Sequence, residues 1–224
     1  MKSGLRVFLI LLAIVVPVEG HAAVPKIKLE YSPTLDSICA LVIGSRINQV
    51  WERDLAARKP ELEALWERIG PALLSSAEGI TGEAFPAGEQ TVRLTLCELP
   101  SQSFVGVSVN MRYALSSFTQ EPVPLRYKAD TIFHELLHTL LAKHQLKNSQ
   151  LLKAYANEPK RTREHLHLFA LQKAVLLNTN AVMELADVVR IDSQLPGGFY
   201  KRAWEIINAT DTEYLKYVAE ITKK

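Results

Sequence analysis

The stretch that most constrains this chain is Thr131 to Leu140, TIFHELLHTL, with His134-Glu135-Leu136-Leu137-His138 at its centre. On an α-helix, residues four apart lie about 40° apart around the axis, so His134 and His138 project from one face, a turn apart. Two imidazoles so placed can grip one metal ion. Glu135 lies a further quarter turn round, where its carboxylate can take a proton from an attacking water without being a ligand itself. Phe133, Leu136, Leu137 and Leu140 recur at helical spacing on the other face and predict a helix seated in a core. No proline or glycine interrupts the chain between Arg126 and Leu146, and good helix formers surround the motif.

With Thr131, Ile132 and Phe133 before HELLH and Thr139 and Leu140 after it, the stretch resembles the extended signature of the zincin superfamily of zinc metallopeptidases. The resemblance covers this stretch alone, so it implies an active-site helix and a chemistry rather than a particular member. It implies Zn2+ held by His134 and His138, Glu135 as general base, a third ligand from further along the chain, and a peptide or protein substrate.

A catalytic zinc site takes three protein ligands and keeps one position open. His144 reproduces the reach of the metzincin pattern HExxHxxGxxH, but Leu141 stands at the glycine position where that pattern turns sharply. On a continuing helix His144 is rotated about 240° from His138 and points away, as a solvated residue near a helix end. The next helix carries Glu164, His165 and His167, which corresponds to the gluzincin arrangement. Glu164 shares a face with Leu168, Leu171 and Val175, His165 with Leu168 and Gln172, and His167 with Ala170, Leu171 and Ala174. His165 opens an apolar helical stretch, as a buried metal-facing residue would, and is the preferred third ligand. Glu164, which also suits the first turn of a helix, and His167 stay open as alternatives. Tyr200, after Gly197-Gly198, is a candidate donor to the oxyanion of hydrolysis, although with Trp204 and Ile207 it also makes an ordinary core stripe.

The N-terminus reads as a secretory signal over residues 1–23. Lys2 and Arg6 precede an unbroken apolar run from Val7 to Val16, and Gly20-His21-Ala22-Ala23 offers small residues for cleavage. The run is too short to span a bilayer comfortably, and no second segment approaches membrane length, so the expectation is an exported, periplasmic or secreted protein without stable membrane insertion. Lys+Arg 26 against Asp+Glu 24 is close to balance, which points to no nucleic-acid partner. Cys39 and Cys97 permit one disulfide in that compartment, or two buried thiols.

At 224 residues the chain is long enough for one sizeable core, so residues 24–224 are expected to form a single domain. Apolar periodicity predicts a first helix from Leu35 to about Arg58 and a second opening at Pro60, with Leu62, Leu65, Trp66 and Ile69 inward. From Thr91 the period changes to two, giving one strand there and another across Ser103 to Met111. The zincin resemblance implies that this second strand, just before the HELLH helix, is a sheet edge that pairs with an extended peptide; an ordinary internal or protected strand is the alternative. Helices follow over about 162–177, 181–190 and 199–208, and Thr210 with Glu213 opens a last one. The expected fold is α+β and mostly helical: a minimal zincin-like domain with a small sheet before the HELLH helix and a helical C-terminal half.

Together these readings point to an exported zinc-dependent peptidase. The alternative is a non-catalytic envelope protein with a structural or absent zinc, whose helical faces bind a protein partner; a closed four-ligand shell would favour it.

Overall fold

The computed structural model describes residues 24–222 apart from 45 and 145, so the signal read over residues 1–23 lies outside the described residues. The chain enters along β1 (Lys26–Tyr31) and turns at Ser32 into α1 (Pro33–Ile43). The Ser32 hydroxyl accepts from the Leu35 N–H, and Pro33 takes a helical position that needs no donor. Gly44, at φ 71°, ends α1 in the left-handed region that a residue with a Cβ enters at a cost.

α2 runs unbroken from Gln49 to Thr81, and this corrects the two-helix reading. The break falls between Ile43 and Gln49, while Pro60 and Pro71 both lie inside α2. A proline within a helix costs about 3 kcal/mol because it removes a donor and crowds the preceding turn. Here a buried stripe of Leu55, Leu62, Trp66, Leu73, Leu74 and Ala77 runs the length of the helix and outweighs that cost. Gly70 lets the Trp66 ring lie flat on α2, since a Cβ there would come within 2.5 Å of it.

β2 (Glu89–Thr95) and β3 (Ser108–Asn110) complete a parallel sheet in the order β1-β2-β3. Leu29, Val92, Leu94, Val107 and Val109 are buried on its core face. The strand expected across Ser103 to Met111 shrinks to β3, because Gly106 at φ 74° turns the chain and leaves Phe104 90% and Val105 81% exposed.

Nor does β3 offer a free edge. Ser108 and Gln102 exchange two backbone hydrogen bonds, and the Asn110 N–H donates to Ser101 Oγ. The Asn110 carbonyl accepts from Lys128 Nζ at 2.7 Å, an ammonium whose pKa burial pushes down to about 8. The expectation of a peptide-binding edge at this strand is therefore overturned: the chain's own loop and a buried lysine already satisfy its outward groups.

Cys39 and Cys97 form a disulfide, with Cα atoms 5.8 Å apart, that ties α1 to the segment after β2. Asp36 reinforces the tie by accepting from the Leu96 N–H and the Thr95 hydroxyl. The bridge joins residues 58 apart, so replacing both cysteines by serine lowers stability by about 4 kcal/mol, read in denaturant unfolding as a lower midpoint with a steeper slope, because the released unfolded chain exposes more surface.

The rest is helical: α3 (Leu125–Leu141), α4 (Gln150–Ala154), α5 (Lys160–Asn178), α6 (Val182–Asp192), α7 (Phe199–Ile207) and α8 (Glu213–Thr222). α5 is the hub. It packs against α2, α3, α6, α7 and α8, and Leu166, Leu168, Phe169, Ala170, Leu171, Val175 and Leu176 are all buried along it. The expected α+β class, with a small sheet before α3 and helices after it, is what forms. Among the described residues no helix is long and apolar enough to cross a membrane.

Candidate metal centre

α3 starts after Pro122 and Pro124 and buries Ile132, Phe133, Leu136, Leu137 and Leu140, so its polar face is turned towards α5. His134 and His138 project from that face with ring centroids 5.0 Å apart. From α5, His165 meets both, at 5.4 Å from His134 and 5.2 Å from His138. Each of the three offers a ring nitrogen within 4.8 Å of the others.

Two of these rings are oriented by the protein. His165 Nδ1 lies 2.7 Å from the Arg161 carbonyl, which can only accept, so Nδ1 carries the proton and Nε2 keeps the lone pair. His134 Nδ1 donates in the same way to Gln172 Oε1 at 3.3 Å, and Gln172 is itself buried. An outer acceptor on Nδ1 is how a histidine is held with Nε2 aimed at a metal. Burial lowers the pKa of all three, with His138 brought down to about 4, aided by the neighbouring His165. At neutral pH the rings are uncharged, and three neutral imidazoles are a donor set that suits Zn2+.

Glu135 is buried at 4% exposure, and the loss of solvent pushes its carboxyl up to about 8. A cation at the triad favours the ionised form and works against that shift. Tyr200 enters from the start of α7, its ring 4.7 Å from His165 and 6.3 Å from His134. Gly197 and Gly198, at φ 85° and 66°, make the tight turn that sets Phe199 and Tyr200 against the start of α5. Burial, then the negative charge of Glu135, push the Tyr200 phenol up to about 12. Tyr200 therefore stays protonated and able to donate at neutral pH.

Beneath the site, Phe169 contacts His134, His165 and Tyr200 and stacks on Trp204 at 4.3 Å, making an apolar floor. Trp204 Nε1 and the Tyr127 hydroxyl both donate to buried Asp192, at 2.9 and 2.7 Å, which locks α3, α6 and α7 together around the triad. His138 is the half-buried member of the triad, so approach is from its side.

The other sequence candidates lie elsewhere. Glu164 is exposed and pairs with Lys160 at 3.5 Å. His167 turns towards α8, where its Nε2 meets Glu220 at 2.9 Å and its ring meets Tyr217. His144 follows the end of α3 and stands outside the triad; contrary to the solvated placement expected for it, its Nε2 is buried. Gln172, Phe169, Asp192 and Arg161 were not singled out as site residues. Gln172 did carry a signal, since it lies two turns beyond His165 on the same face of α5.

Comparison of the chain with protein families, curated proteins and solved structures finds no match.

Proposed function

We propose that the chain is an exported zinc-dependent peptidase with its reaction centre at His134, His138, His165 and Glu135. The observation that carries the proposal is the convergence of three neutral imidazoles from two helices within 4.8 Å, beside a buried carboxylate. His134, His138 and His165 would hold the ion through Nε2 in the first and last, since their Nδ1 atoms are engaged elsewhere. When bound, Zn2+ supplies a Lewis acid that polarises the scissile carbonyl and acidifies water.

The chain's own groups do the rest. Glu135 removes a proton from the attacking water as its oxygen bonds to the carbonyl carbon, then delivers that proton to the amide nitrogen as the C–N bond breaks. One water is consumed, and a carboxyl and an amine are released. Tyr200 donates a hydrogen bond to the carbonyl oxygen as negative charge develops there. Phe169 keeps water from beneath the triad, where it would screen these interactions.

A closed structural site would need a fourth protein donor. Among the described residues no histidine, cysteine or carboxylate joins the three, which leaves a position for water and substrate. Export is supported by the apolar leader in the sequence and by the Cys39–Cys97 bridge, which persists in oxidising compartments.

The test is chelation and repletion. Purified protein carrying one zinc per chain hydrolyses an unstructured polypeptide, loses that activity when a chelator removes the metal, and regains it with stoichiometric Zn2+. Undiminished hydrolysis by metal-free protein, verified by elemental analysis, sinks the proposal.

A further inference from the structure

The first turn of α5 carries a cation next to the triad that the hydrolytic chemistry leaves unused. Arg161 lies one turn before His165 on the same face of the helix, and its own carbonyl holds the His165 ring at 2.7 Å. Its guanidinium carbon is 5.6 Å from the centroid of the Phe199 ring, and Phe199 is the neighbour of Tyr200, whose ring is 4.7 Å from His165. The guanidinium thus rests on an aromatic face at the edge of the centre. Its positive charge reaches both His165 and Tyr200, lowering the proton affinity of each.

The surrounding charges are already matched to one another. Lys160 pairs with Glu164, and Glu158 with Arg202 at 2.7 Å. Asp192 accepts from Tyr127 and Trp204, and Glu135 is buried on α3. Among the described residues no carboxylate pairs with Arg161. The aligned peptide dipoles of the 19-residue α5 add positive potential at the same end.

An exposed guanidinium held by stacking, without an acidic partner and beside a reaction centre, is built to receive a carboxylate in bidentate fashion. We infer that Arg161 is a specificity-determining residue that binds a carboxylate of the substrate close to the scissile bond; the inference rests on the peptidase reading above. Four helical residues separate Arg161 from His165, about 6 Å of axial rise, so the carboxylate belongs within about two residues of an extended peptide from the bond cleaved. Two sources share this chemistry: an Asp or Glu side chain, and the C-terminal carboxylate of the peptide itself.

The experiment compares kcat/KM for zinc-loaded parent, Arg161→Gln and Arg161→Glu on peptides of one neutral sequence. One peptide is amidated, one has a free C-terminus near the cleaved bond, one is amidated with Asp at the flanking positions, and one is amidated with Lys there. The parent prefers a carboxylate-bearing peptide over the neutral one by about 10- to 100-fold, the scale of a charge-assisted bidentate contact. Which carboxylate peptide is preferred identifies the source. In Arg161→Gln that preference ratio falls to near one, and in Arg161→Glu the Lys peptide becomes the better substrate, both at parental zinc content. A parent that cleaves all four peptides alike, or an Arg161→Gln variant that keeps the parental ratio, overturns this inference alone. A parent that cleaves none of them overturns the peptidase reading, and this inference with it.

Discussion

Glu135→Gln is expected to lower kcat for peptide hydrolysis by about 10³-fold while leaving one zinc per chain, because the amide keeps the shape of the carboxyl but cannot take a proton. The side chain is buried at 4% exposure, and among the described residues no hydrogen-bonding partner depends on its charge. Replacing a buried ionisable group by a neutral isostere removes a desolvation penalty, so the variant folds at least as well as the parent. The loss should therefore appear in kcat, with thermal stability and metal content held as controls. Parental turnover by this variant would remove Glu135 from the role of base and leave the histidines as a metal site without its catalytic partner.

The second large effect separates three neighbours on one helix. His165→Ala should weaken zinc binding by more than about 100-fold, beyond the 10- to 100-fold that loss of a merely orienting partner produces. Glu164→Ala should leave affinity unchanged, since Glu164 is exposed and its pair with Lys160 is a surface contact. His167→Ala should retain zinc but lose about 1 to 3 kcal/mol of stability, because it strips a hydrogen bond from Glu220, which also holds the Ser149 hydroxyl at 2.5 Å. Competition against a chromophoric chelator measures the first quantity and denaturant unfolding the second. Equal zinc affinity for parent and His165→Ala would show that the ion is held elsewhere.

These two experiments probe different layers of one site. The Glu135 variant asks whether the chemistry runs through that carboxylate, and the helix-α5 series asks which donor completes the shell. Metal retention combined with lost activity in the first, and metal loss confined to His165 in the second, is the joint outcome that the geometry supports.

The expectations that failed did so for physical reasons that can be named. Pro60 looked like a helix start because proline is welcome in a first turn, yet the buried stripe from Leu55 to Ala77 carries α2 straight through it. The alternation of Val105, Val107 and Val109 looked like one strand, but Gly106 turns the chain and only Val107 and Val109 reach the core. The edge beside Ser108 and Asn110 is closed by Gln102, Ser101 and Lys128, a contact between segments whose meeting no local pattern announces. Arg161 stood in plain view, but only its position over Phe199, thirty-eight residues on, brings it to the centre.

Local periodicity alone was enough to establish the HELLH helix, its apolar back and the common face of His134 and His138, because those features depend on residues a turn or two apart. It also placed a small sheet ahead of that helix and a helical half behind it. That His165, rather than Glu164 or His167, meets His134 and His138, that Cys39 pairs with Cys97, and that Tyr200 and Arg161 come to the same place was decided only in the packed molecule. Each of those outcomes turns on how far one helix is rotated against another, and that rotation is set by many buried side chains acting together rather than by any short run of sequence.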